Sequence, residues 1–165
     1  MNDNFSASIA TMRHANTRML NRYLPWIDYR LDITFGKAYD LCLLPSQEQA
    51  NAQLRHLRTT LNCAIWSNRW KFDDKCNILF IPILEGAKGA KRIHAHILLG
   101  NVKSQCAVLE HLNHYLPKSR WCLPRYELHT KYDDGVTWYV TKETNSINHA
   151  AINWNEALIP RPLMP

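Results

Sequence analysis

A chain of 165 residues with 46% apolar and 21% charged residues has the length of one ordinary globular domain and can bury a core, which argues against disorder. No apolar run approaches the ~20 residues of a membrane span, and Met1-Asn2-Asp3-Asn4 lacks the basic-then-apolar pattern of a secretion signal, so a cytoplasmic protein is expected. A net charge of +6 and a pI near 9.2 suit a polyanionic partner. The five cysteines, Cys42, Cys63, Cys76, Cys106 and Cys122, are odd in number and contain no C-x-x-C pair, so buried free thiols are expected rather than disulfides or a cysteine zinc site.

Taken in chain order, residues 5 to 24 read as a helix with a loose apolar face. Leu31-Asp32-Ile33-Thr34-Phe35 alternates and carries β-branched and aromatic residues, which predicts the first strand. Ser46 with Gln49 three residues on forms a capping box, and Ala50, Leu54, Leu57, Leu61 and Ile65 keep helical spacing to about residue 68. Asn77 to Glu85 is the second strand and Arg92 to Leu99 the third. The turn at Gly86-Ala87-Lys88-Gly89 is too short for anything but an antiparallel hairpin. Ser104 caps a second helix bearing Val108, Leu109, Leu112 and Leu116, which Pro117 ends. Arg125 to Thr130 reads as a fourth strand, and Asp133-Asp134-Gly135 opens a helix from Val136 to about Glu143.

The order β-α-β-β-α-β, followed by a helix, predicts an α+β ferredoxin/RRM-like sandwich. A central antiparallel sheet would carry its helices on one face and leave the other free for a site. Residues 1–30 then form a helical extension, 31–143 the core and 144–165 a loosely packed tail.

The stretch most informative about chemistry is Ile93-His94-Ala95-His96-Ile97. Two histidines one residue apart on a strand point to the same face, roughly 7 Å apart along the chain, while Ala95 turns to the core. Both imidazoles can serve one cation, although a pair of half-exposed histidines on an open sheet face explains the pattern equally well. Glu85 ends the preceding strand, and in a hairpin it lies near the entrance to the histidine strand, where it can add an oxygen ligand. Two imidazoles and one carboxylate leave positions for water and a phosphate oxygen, as catalytic metal sites require. In Trp138-Tyr139-Val140-Thr141-Lys142, Tyr139 and Lys142 share a helix face. A phenol with a free pKa near ~10 is a poor nucleophile unless a neighbouring cation assists it. Basic residues beside aromatics at Arg69-Trp70-Lys71-Phe72 and Lys118-Ser119-Arg120-Trp121 are able to hold phosphates and stack on bases. His111 and His114 read as surface residues and His129 as structural.

These motifs, in this order, resemble the HUH endonuclease superfamily in its one-tyrosine replication-initiator (Rep) branch. Ile33-Thr34-Phe35 is similar to the family's first motif, His94-Ala95-His96 to its second with Glu85 nine residues upstream, and Tyr139 with Lys142 to its Y-x-x-K motif. The tyrosine follows the histidines, unlike in relaxases. Position 143 is Glu rather than the Gln of single-strand transposases, and Gly135 stands where two-tyrosine initiators carry their other tyrosine.

The resemblance implies a DNA nickase that initiates rolling-circle replication at an origin or hairpin in single-stranded DNA. Mn²⁺ or Mg²⁺ would sit on His94, His96 and Glu85, with Tyr139 as nucleophile, Lys142 as its helper and Tyr132 as the reserve nucleophile. No Walker A string is present, which implies a helicase supplied by the host. Alternatives from the same residues are a non-catalytic RRM-like module that binds single strands, a hydrolase activating water on the same three ligands, and a relaxase- or transposase-type HUH nuclease.

Overall fold

The computed structural model describes residues 3–37, 44–86, 92–130, 135–141 and 152–161. It is an α+β fold in which helix α1 (Asp3–Asn21) precedes strand β1 (Tyr29–Phe35). Helix α2 (Gln47–Trp66), strands β2 (Leu79–Glu85) and β3 (His94–Gly100), helix α3 (Gln105–Tyr115), strand β4 (Cys122–Thr130) and the short helix α4 (Val136–Val140) follow. The four strands form one antiparallel sheet in the order β2-β3-β1-β4.

Local chemistry sets the boundaries of the long helices. The Ser46 hydroxyl accepts the Gln49 N–H at 3.2 Å, and the Gln49 side chain accepts the Ser46 N–H at 2.8 Å, closing the expected capping box. From there Ala50, Leu54, Leu57, Leu61 and Ile65 bury one stripe of α2. Ser104 caps α3 by accepting the Ala107 N–H, and Val108 and Leu112 turn inward. Both helices pack on the sheet face that carries Leu31, Ile33, Phe35, Phe80, Leu84, Ala95, Ile97 and Leu99.

The other sheet face is not wholly open, contrary to expectation. Every residue of β2 is buried, so its second face needs a cover as well. Leu20 of α1, Tyr23, Ile27, Val140 of α4 and Ile152 supply it over Leu79, Ile81, Ile83 and Leu98. The loose tail expected from residue 144 is also corrected over residues 152–161. Leu158 exchanges backbone hydrogen bonds with Phe80, Ile152 bridges Ile83, and Glu156, 5% exposed, pairs with Arg55 at 2.8 Å. Residues 144–151 and 162–165 lie outside the described residues.

Two glycines have steric reasons. Gly86 follows β2 at φ +80°, and a Cβ on Gly100 would lie 1.8 Å from the Trp26 carbonyl oxygen. Of the cysteines, Cys76 and Cys122 are buried as expected, and burial pushes the Cys122 thiol up to about 11. Cys63 and Cys106 are exposed instead, and Cys42 lies outside the described residues. Among the described residues no helix is long and apolar enough to cross a membrane.

Candidate metal centre and active site

The part of the second face left open lies where β1, β3 and β4 meet. Strand alternation sends Ala95 and Ile97 into the helix-side core and turns His94 and His96 the other way. The β2–β3 register sets Glu85 opposite His94, and the β1–β3 register sets Asp32 opposite His96. Four polar side chains from three strands therefore share one patch.

Glu85 is fully buried, and one of its oxygens is the focus of the cluster. His94 Nε2 lies 2.8 Å from Glu85 Oε2 and His96 Nε2 lies 3.4 Å from the same atom. The far side of each ring is held by an acceptor. Asp32 Oδ1 accepts from His96 Nδ1 at 2.7 Å, and the Arg92 carbonyl accepts from His94 Nδ1 at 3.2 Å. With both Nδ1 atoms donating, loss of the Nε2 proton would turn each Nε2 lone pair toward Glu85, which is the tautomer a metal needs. Asp32 is itself anchored by Arg30, whose Nη2 stands 3.1 Å from Oδ2.

The charges follow from these contacts. Burial opposes a cation at His96, but hydrogen bonds to Asp32 and Glu85 and the charges of both carboxylates outweigh it, pushing His96 up to about 9. The hydrogen bond to Glu85 raises His94 against a smaller burial effect. Asp32 is partly buried, which favours its neutral form, yet His96 and Arg30 hold it below the usual carboxylate range.

Glu85, His94 and His96 offer three ligand atoms within 4.8 Å of one another. His96 Nε2 is buried, and its contact with Glu85 Oε2 at 3.4 Å is long for a hydrogen bond. A buried imidazole nitrogen left this way beside a carboxylate fits a divalent cation, and three protein ligands leave further coordination positions open.

Tyr139 on α4 borders this cluster. Its ring centroid lies 5.6 Å from that of His96, edge on, and the Arg30 guanidinium lies 4.7 Å from the Tyr139 ring. The tyrosine is 41% exposed, so a substrate can reach it. Tyr126 borders the cleft along β1 and β4, but it packs on the helix-side core and its hydroxyl donates to Asn113. Lys142 and Tyr132 lie outside the described residues, and α4 ends at Val140 with Thr141 as its C-cap, short of the expected run to about Glu143.

Along the β1–β4 pair runs an open cleft of about 520 Å³, lined by Asp32, Thr34, His94, Arg125 and Glu127 among others. His129 stands 3.5 Å from Asp32 and 3.2 Å from Glu127, so it belongs to this charged row. His111 contacts Thr60 and stacks on Tyr115, and His114 meets Lys118 on the helical layer, away from Glu85, His94 and His96. Trp121 is buried in the helix-side core and cannot stack on bases there, whereas Phe72 is 88% exposed.

Asp32 and Arg30 were not singled out as functional from the sequence. The alternation of residues 31–35 already turns Asp32 away from the core, but only the sheet order brings it beside His96. Comparison with protein-family models, with curated proteins and with solved structures finds no match for this chain.

Proposed function

We propose that this protein is a metal-dependent HUH-type endonuclease, built on a ferredoxin-like sandwich, which nicks single-stranded DNA to initiate rolling-circle replication. One observation carries the reading: the Nε2 atoms of His94 and His96 converge on the buried Glu85 at the border of the open patch, with Tyr139 next to them. His94, His96 and Glu85 would hold Mn²⁺ or Mg²⁺. When bound, the cation supplies Lewis-acid polarisation of the scissile phosphate.

The chain's own residues do the rest. Tyr139 Oη forms a bond to phosphorus as the bond to the 3′ oxygen breaks. The phenolic proton is given up and the departing 3′ oxygen gains one, leaving a 5′-phosphotyrosine and a free 3′-OH. Attack by a 3′-OH reverses the same steps and reseals the strand. Arg30, beside the tyrosine ring, and Lys142 are the cations assigned to the phosphate charge. A host helicase would expose further template.

The RRM-like alternative is less favoured, because the described strand residues on the open patch are Arg30, Asp32, Thr34, His94, His96, Arg125, Glu127 and His129, none of them a stacking aromatic like those of RNA-binding sheets. The test is incubation with pooled single-stranded oligonucleotides and Mn²⁺, followed by denaturing electrophoresis. A covalent protein–DNA adduct mapped to Tyr139, absent in EDTA and in Tyr139→Phe, is expected. Binding without an adduct would favour the binding module, and cleavage without an adduct would favour a hydrolase that activates water.

A further inference from the structure

Helix α1 lies outside the residues that carry the catalytic motifs, yet it packs against α4. Thr17 Oγ1 and Thr141 Oγ1 are 2.9 Å apart, and Arg13 donates to the Trp138 carbonyl at 3.3 Å. The Arg13 guanidinium also stacks 3.8 Å from the Trp138 ring centroid, with the His14 ring 5.6 Å away. Even so, Trp138 remains 46% exposed, directly before Tyr139 in sequence. A large indole left open at the surface normally has a partner, and one braced by a guanidinium is a rigid platform for a flat aromatic ring.

The charge along α1 continues from that platform. Between Asp3 and Asp28 the chain contains no acidic residue, and Gly135–Thr141 contains none either. His14, Arg18 and Arg22 follow one another every fourth residue, all exposed, the last in the turn that ends the helix. Successive members stand ~6 Å apart along the axis on neighbouring turns. A cationic row without interleaved carboxylates, leading to an open indole, combines the two features that recognise single-stranded nucleic acid, phosphate contacts and base stacking.

We infer that α1 and Trp138 form a track for single-stranded DNA, in which Trp138 stacks on a base next to the phosphate presented to Tyr139 and Arg18 and Arg22 contact the backbone beyond it. The choice of DNA rests on the proposed nicking function, but the track makes its own prediction about binding.

The experiment measures binding of a labelled mixed-sequence single-stranded oligonucleotide to full-length Tyr139→Phe protein in EDTA, at several salt concentrations. Adding Arg18→Ala and Arg22→Ala together should weaken binding about tenfold or more at low salt and lower the salt slope by about 1.4. Adding Trp138→Ala should weaken binding by roughly tenfold with the slope unchanged, and Trp138→Phe should restore most of the loss because a smaller ring still stacks. A duplex of the same sequence should be insensitive to Trp138→Ala. Parent-like single-strand affinity in either the double arginine variant or Trp138→Ala overturns the track, even if the unsubstituted protein forms its adduct with DNA. Weakened binding in both, with no adduct from the unsubstituted protein in Mn²⁺, upholds the track and removes the nicking reading instead.

Discussion

Replacing Asp32 separates the support of the metal centre from its ligands. Asp32 would touch no metal; its Oδ1 holds His96 Nδ1 at 2.7 Å, in a setting where His96 is 6% and Asp32 20% exposed. A hydrogen bond with a charged partner contributes roughly 1.5–3 kcal/mol, and loss of such support beneath a metal ligand typically weakens metal binding by about 10- to 100-fold. Asp32→Asn keeps an acceptor but removes the charge, so it should fall near the lower end, about tenfold. Asp32→Leu removes both and leaves the His96 ring free to turn, so about 100-fold is expected. Mn²⁺ titration calorimetry on Tyr139→Phe protein measures this directly, free of turnover. The same Mn²⁺ affinity in Asp32→Leu as in the parent would refute the idea that Asp32 aims His96 Nε2 at the metal.

Either His94→Ala or His96→Ala should abolish nicking while melting temperature in EDTA changes little, and Glu85→Ala should weaken Mn²⁺ binding less than either, since water replaces one oxygen ligand; activity assays with calorimetry check all three. The metal-free protein should lose stability with rising pH. Because the folded state raises His96 from 6.5 to about 9, this contribution is fully present below pH ~6.5 and gone once pH passes about 9. Its ceiling is about 3 kcal/mol, shared with Asp32 and Glu85, or up to roughly 10 °C in melting temperature for a chain of this size, and Mn²⁺ should flatten the profile. A melting temperature in EDTA that does not fall between pH 6.5 and 9.5 would contradict this. Gly100→Ala should destabilise by about 2 kcal/mol or more, because its Cβ would meet the Trp26 carbonyl at 1.8 Å; denaturant unfolding measures it.

The clustering of the candidate metal ligands was legible in the sequence because the rules that expose it are local. Alternation orients His94 and His96, and a short turn returns Glu85 to their side. The long helices were equally legible, since Ser46 and Ser104 mark their starts and apolar spacing marks their faces. Asp32 was only half legible: its face follows from Leu31, Ile33 and Phe35, but its neighbour follows from sheet order, which no local pattern encodes. The cover over β2 was missed for a different reason. Ile152 and Leu158 sit among asparagines and prolines without strand-like alternation, and their docking rests on isolated backbone bridges to an already apolar strand.

The bridges from Ile152 and Leu158 to β2 bear on self-association. An outermost strand presents unpaired N–H and C=O groups that a second chain can extend, and β2, buried throughout and apolar from Leu79 to Leu84, would be a template. The 152–158 segment occupies that edge through Phe80 and Ile83, while Arg55 and Arg58 secure it by gripping the Glu156 carboxylate and carbonyl. A chain shortened before Ile152 would keep every proposed metal ligand and Tyr139. It would nevertheless uncover an adhesive border, so its first defect should be clumping rather than lost chemistry.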